Sequence, residues 1–220
     1  MCGRYSLVIT PDFGKRFRVH IPAMGLRSRF NIAPGQAAPV ICAAGERQCV
    51  AMRWGFVPAW AGEAAYQHPL INARSETAPV LPAFKDAFVS GRCIVPASGF
   101  YEWKEEGSRR VPFYYHRADG NPIGLAGLYT TCHPPGGPAV RCFALLTTPA
   151  NDLVSAVHDR MPAILPRDRE DDWLAAGTGN PDAMLAPAPP GMLVGYPVSS
   201  RVNSPDAEGE ACIRPVATLF

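Results

Sequence analysis

A chain of 220 residues with 47% hydrophobic and 18% charged side chains is long enough to bury a core and too apolar to be disordered. Its 24 prolines and 20 glycines argue for many turns and short elements, against a helical bundle. The formal net charge of +2 singles out no class of partner.

The distribution of that charge says more. Residues 1–60 carry eight Lys/Arg against two acids, residues 61–150 eight against seven, and residues 151–220 five against ten. Such a basic front half suits a polyanionic partner, and 18 of the 21 basic residues are arginine, the better phosphate fork. A GC-rich coding sequence would raise arginine everywhere, so both readings stand. No apolar run reaches membrane-spanning length and the first 20 residues are too charged for a signal peptide, so a cytoplasmic protein with no membrane partner is expected. Seven cysteines, an odd number without a CxxC pair, argue against a disulfide framework and against a zinc site. Cys42, Cys49, Cys93, Cys132, Cys142 and Cys212 read as small apolar residues in a reducing compartment.

In chain order, the first stretch is Met1-Cys2-Gly3-Arg4-Tyr5. Removal of Met1, expected before a small residue, leaves Cys2 with a free α-amine and a thiol. The amine titrates at about 7.7–8.0 and is partly neutral near pH 7. The thiol titrates near about 8.5, and lower beside a cation such as Arg4. On adjacent carbons, the two groups can close a thiazolidine on one aldehyde. Alternatively, the thiol attacks an acyl group with the amine as its base. An incidental cysteine beside the start is the third reading.

A strand is expected over residues 2–9, then a helix from N-cap Thr10 and Pro11 to Arg18 with Phe13 and Phe17 facing the core. Residues 39–42 and 48–54 read as strands joined at Ala44-Gly45-Glu46, and 53–60 as an aromatic loop whose Trp54 and Trp60 belong to the core. A short helix over 82–89 ends at Gly91. Strands follow over 93–96, 99–104, 111–117 and 123–130. Turns at Glu106-Gly107-Ser108 and Asp119-Gly120-Asn121 separate the last three, the second a hairpin signal. A strand over 140–147, a helix over 151–157, a helix over 167–175 with an acidic solvated face, a further helix over 181–185 and a strand over 193–198 complete the chain, with 206–210 a solvated loop. With no repeat and no linker, residues 1–220 read as one α+β domain: a curved, barrel-like, mostly antiparallel β core with short flanking helices.

Polar residues gather where local structure breaks, at Asn72-Ala73-Arg74, Gly99-Phe100-Tyr101-Glu102-Trp103 and His158-Asp159-Arg160-Met161-Pro162. Singly, Asn72 could support a turn, Glu102 could be a surface carboxylate and His158 a helix cap. With Cys2 they supply a nucleophile, an acid/base, an imidazole and a positioning amide.

MCGRY, NIAPGQ, RWGFVPAW, NARSET, CIVPASGFYEW, LTTPAN and HDRMP occur in this order, and together they resemble the SOS-response-associated peptidase (SRAP) family of abasic-site processors. The likeness runs from Cys2 to about Pro166, with a weaker continuation at residues 198–203. It implies a β-barrel-like domain with a basic cleft for single-stranded DNA, to whose abasic sites Cys2 links through a thiazolidine. By the same resemblance, Asn72 positions the Cys2 end, Glu102 is the acid/base beside the amine, and His158 assists sugar ring-opening and reversal. Strand contacts fall to Arg4, Arg53, Trp60, Arg74, Trp103, Thr147 and Arg160. No cofactor and no metal are expected, the protein is expected to be a monomer, and it would join the nucleoid when bound to DNA. Two rival classes stay open: an N-terminal-nucleophile hydrolase of the peptidase or glutaminase kind, whose chains also begin Met-Cys-Gly, and a non-covalent single-strand binding module.

Overall fold

The computed structural model describes residues 2–21, 25–175, 181 and 184–216. In chain order its elements are β1 (Tyr5–Leu7), α1 (Phe13–Phe17), β2 (Arg29–Ile32), β3 (Ala37–Ala44), β4 (Glu46–Trp54), β5 (Asn72–Arg74), α2 (Lys85–Ser90), β6 (Arg92–Ala97), β7 (Gly99–Glu106) and β8 (Arg109–Arg117). They continue with β9 (Ile123–Cys132), β10 (Val140–Pro149), α3 (Asp152–Ser155), β11 (Arg160–Pro162), α4 (Glu170–Leu174) and β12 (Leu193–Pro197). The expected α+β domain with a barrel-like, mostly antiparallel core is the one observed.

Strand β10 organises the site. Its first half pairs antiparallel with β9 on one edge and parallel with β4 on the other, at Cys142 against Arg53 and Phe143 against Trp54. Because β4 pairs β3, β3 pairs β6 and β6 pairs β9, the order returns to β10 and the sheet closes on itself. Closure leaves no free edge among those five strands. The second half of β10 runs beyond the ring and takes two new partners: β5 in parallel at Leu145–Thr147, and β11 antiparallel at Thr147–Pro149. Asn72, Arg74 and Arg160 therefore meet around Thr147, although 88 positions separate the first from the last.

A second, five-stranded antiparallel sheet runs β12-β8-β7-β1-β2. It packs on the barrel through Tyr5, whose ring lies 5.2 Å from Trp54, itself stacked on Phe143 at 6.2 Å. Gly99 opens β7 where a side chain would run into the Tyr115 carbonyl and the Tyr114 hydroxyl, so only glycine lets β7 follow this path to Glu102.

Several expectations need correction. Asp119-Gly120-Asn121 makes its turn, with Gly120 at φ 72°, but not a hairpin. Both edges of β8 are taken by β7 and β12, and both edges of β9 by β6 and β10, so the turn carries the chain from one sheet to the other. The first helix begins at Phe13 rather than Pro11, because the Phe13 N–H closes a turn on the Thr10 carbonyl; Phe13 and Phe17 are buried as expected. Trp60 is not in the core; it is 67% exposed, whereas Trp54 is fully buried. The acidic face at residues 167–175 is not wholly solvated either, since Glu170 is buried between Arg16 at 2.8 Å and Arg47 at 3.1 Å. The helix expected over 181–185 lies partly outside the described residues. Among the described residues no helix is long and apolar enough to cross a membrane.

Candidate active site at the amino terminus

The segment before β1 is held from two sides. Tyr101 of β7 donates its N–H to the Arg4 carbonyl at 3.0 Å, and Asn72 of β5 donates its side-chain amide to the Cys2 carbonyl at 2.8 Å. The Oδ1 of Asn72 is buried and accepts no hydrogen bond among the described residues. Leaving a buried acceptor unmatched costs about 1–3 kcal/mol, so such an atom marks a place built for a donor.

Cys2 is fully buried, and its thiol donates to the Arg4 carbonyl at 3.6 Å. The expectation that Arg4 lowers the thiol pKa is overturned. Burial raises it far above the ordinary range, and the neighbouring Glu102 charge raises it further. The Arg4 guanidinium points elsewhere, donating to Asn31 Oδ1 at 2.8 Å and to the Val202 carbonyl at 2.6 Å.

Glu102 is 2% exposed, on the face of β7 that Phe100 also uses. Burial lifts its pKa from 4.5 to about 7. A carboxyl poised there can both give and take a proton near neutral pH. The shift has a consequence for stability. A raised folded pKa means that the stability contribution is complete below pH 4.5 and is lost as pH rises through about 7, a span worth about 3 kcal/mol. Glu102→Gln should therefore flatten stability between pH 4.5 and 7 and raise the melting temperature at pH 8, measured by thermal melts across that range. A variant with the wild-type slope would show that another group carries it.

His158 precedes β11. Its Nδ1 accepts the Arg160 N–H at 3.0 Å. Burial lowers its pKa; Asp159, 2.9 Å from the same nitrogen but largely exposed, pulls the other way.

The remaining candidates divide into groups. Arg74 is exposed, and its guanidinium makes no hydrogen bond or ion pair among the described residues. Arg160 is buried and forked on Glu76, whose carboxyl it holds below its usual range. Thr147 lies wholly buried beneath β5, its hydroxyl 3.4 Å from the Ala73 carbonyl. Arg4 and Trp103 share a cleft of about 440 Å³ with Gly3, Arg110 and Asn203. There the Arg4 guanidinium sits 5.9 Å from the Trp103 ring, and the Trp103 indole N–H donates to Asn203 Oδ1 at 2.7 Å. Arg53 stands apart from Asn72. The two face Cys142 and Leu145, positions of opposite parity on β10, and so leave the sheet on opposite faces. Sequence reasoning gave no role to Arg110, Asn31 or Glu76. Glu76 lay inside NARSET, but only the fold reveals its partner. Among the described residues no group of His, Cys, Asp or Glu gathers as a metal site.

The model of the SOS response associated peptidase (SRAP) family matches residues 1–205. The chain belongs to the SRAP family. SRAP relatives include abasic site processing protein YoqW of Bacillus subtilis (strain 168), 35% identical over 213 residues that span 93% of this chain and 95% of its own length. Abasic site processing protein YedK of Escherichia coli (strain K12) is 33% identical over 230 residues, covering 98% and 100%. A crystal structure of a protein from Bordetella bronchiseptica superposes with a TM-score of 0.78 at 30% identity, over 90% of this chain and 100% of that one. One from Bacteroides thetaiotaomicron reaches 0.87 at 23% identity, over 98% and 100%, a likeness of fold alone. Membership supports abasic-site recognition as the general activity, with DNA carrying abasic sites as partner.

Proposed function

We propose that this SRAP protein captures abasic sites in single-stranded DNA by closing a thiazolidine between Cys2, freed of Met1, and the ring-opened sugar aldehyde. What supports the reading is the hold on this end of the chain: Asn72 donates to the Cys2 carbonyl, and Glu102 lies buried next to Tyr101, whose N–H holds the Arg4 carbonyl. With its thiol held protonated by burial, Cys2 reacts first through its amine. The neutral amine adds to the aldehyde carbon, and a proton moves to the resulting hydroxyl, which leaves as water to give an imine. The thiol then adds to the imine carbon, its proton passes to the nitrogen, and the ring closes. Aldehyde, amine and thiol thus give one thiazolidine and one water. Glu102, near neutrality, donates in the dehydration and accepts from the thiol. His158 serves the ring-opening that exposes the aldehyde, and the unmatched Asn72 Oδ1 suits the amine as donor. Such a link would shield the lesion in a cytoplasmic, monomeric protein that sits on the nucleoid when engaged.

The test is a denaturing gel after mixing the processed protein with abasic and with intact oligonucleotides. A heat-stable adduct is expected with the abasic strand alone. Its absence would overturn the proposal and return the rival hydrolase and non-covalent binding readings. Arg74 offers a second check, since its free guanidinium suits a backbone phosphate. Arg74→Ala should weaken abasic and intact strands alike, and should reduce the salt dependence of binding by about 0.7 log units. A loss restricted to abasic DNA would place Arg74 at the sugar.

A further inference from the structure

Arg160 opens β11 at 9% exposure, so its charge must be matched inside the protein. Its Nη1 donates to Glu76 Oε1 at 2.6 Å and its Nη2 to Glu76 Oε2 at 2.9 Å, a two-pronged fork. Nη2 also donates to the Thr147 carbonyl at 2.5 Å. Glu76 itself is 47% exposed and lies two residues after Arg74, whose guanidinium is unengaged among the described residues. The pair is therefore asymmetric. Arg160 cannot leave without abandoning a buried carbonyl, whereas Glu76, half exposed, can turn into water once another anion takes its place. A carboxylate and a phosphodiester present the same feature to an arginine fork, two anionic oxygens in one plane.

We propose that Glu76 is a resident phosphate surrogate, filling the Arg160 fork in the free protein until a strand phosphate arriving beside Arg74 displaces it. This rests on the reading of Arg160 as a strand contact, which the unliganded geometry otherwise leaves with both prongs occupied. The exchange is balanced in charge at Arg160, one anion leaving for water as another enters. Glu76 thereby lowers the affinity for every strand, damaged or not, because each binding event must first break its ion pair. It is a specificity-determining residue, since a weak grip on intact strands leaves lasting attachment to the covalent step.

The experiment measures affinity for an intact oligothymidylate at fixed salt, using wild type, Glu76→Gln, Arg160→Met and the double variant, each checked by thermal melt. Glu76→Gln should tighten binding by about fivefold or more. That gain should vanish when Glu76→Gln is introduced beside Arg160→Met, where there is no fork to compete for. An unchanged affinity in Glu76→Gln, or a gain that persists without Arg160, would overturn the proposal, the second by pointing to general repulsion. Should Arg160→Met fail to fold, nitrogen NMR of the wild-type Arg160 guanidinium decides instead. Its signals should move on saturation with the intact strand, and unmoved signals would overturn the exchange. Adduct formation is scored separately on abasic DNA. If neither wild type nor Glu76→Gln forms an adduct, the covalent function fails, while the competition stands or falls on intact strands.

Discussion

Cys2→Ala should abolish the heat-stable adduct and leave in its place an imine that borohydride traps and that nicks the strand. Alanine is small enough for Met1 to be removed, so the variant keeps a primary amine where the wild type has one. That amine still condenses with the aldehyde. Without a thiol the imine cannot close, and it has two fates: hydrolysis, or proton loss from the adjacent carbon followed by β-elimination of the 3′ phosphate. The wild type is expected to do the reverse, holding the strand intact. The thiol's burial, which keeps it protonated, agrees with an amine-first order. Trapping with borohydride and a denaturing gel of the strand read both outcomes. A folded, strand-binding Cys2→Ala protein that neither traps nor nicks would show that the amine is not the first nucleophile. Retaining one residue ahead of Cys2 should silence both proteins, because the amine is then an amide.

Glu102→Gln should slow adduct formation by about 10²–10⁴-fold, the usual worth of a positioned acid/base, without weakening binding to intact strands. The glutamine fits the same buried place on β7 but can neither give nor take the proton. The pH profile separates this role from packing. With its pKa raised to about 7, Glu102 is divided between its two forms near neutrality, so the wild-type rate should carry an inflection there that the variant lacks. A variant as fast as wild type would return Glu102 to a buried structural carboxylate.

The candidate groups were legible before the fold. Cys2, Asn72, Glu102 and His158 stand in local motifs whose residue types suggest their chemistry, and the structure sets Asn72 on the Cys2 carbonyl. The strands were legible too, since β6 to β10 alternate or run apolar between turn residues, and such periodicity is a property of neighbours in sequence. Pairing partners were not. Asp119-Gly120-Asn121 carries every local mark of a hairpin, yet β8 and β9 separate because other strands already fill their edges.

What the sequence by itself determined is the family to which the chain belongs and the candidate groups that its motifs carry. Three things were decided by tertiary structure alone. Burial, not the adjacent Arg4, governs the Cys2 thiol, because desolvation depends on everything packed around it. The Arg160 fork is filled by Glu76, 84 positions earlier, because β5 and β11 share the far half of β10. Trp60 is exposed while Trp54, only six positions earlier, is buried. A side chain's type is written locally, but its protonation, its partner and its access to solvent follow from contacts that close only when distant segments meet.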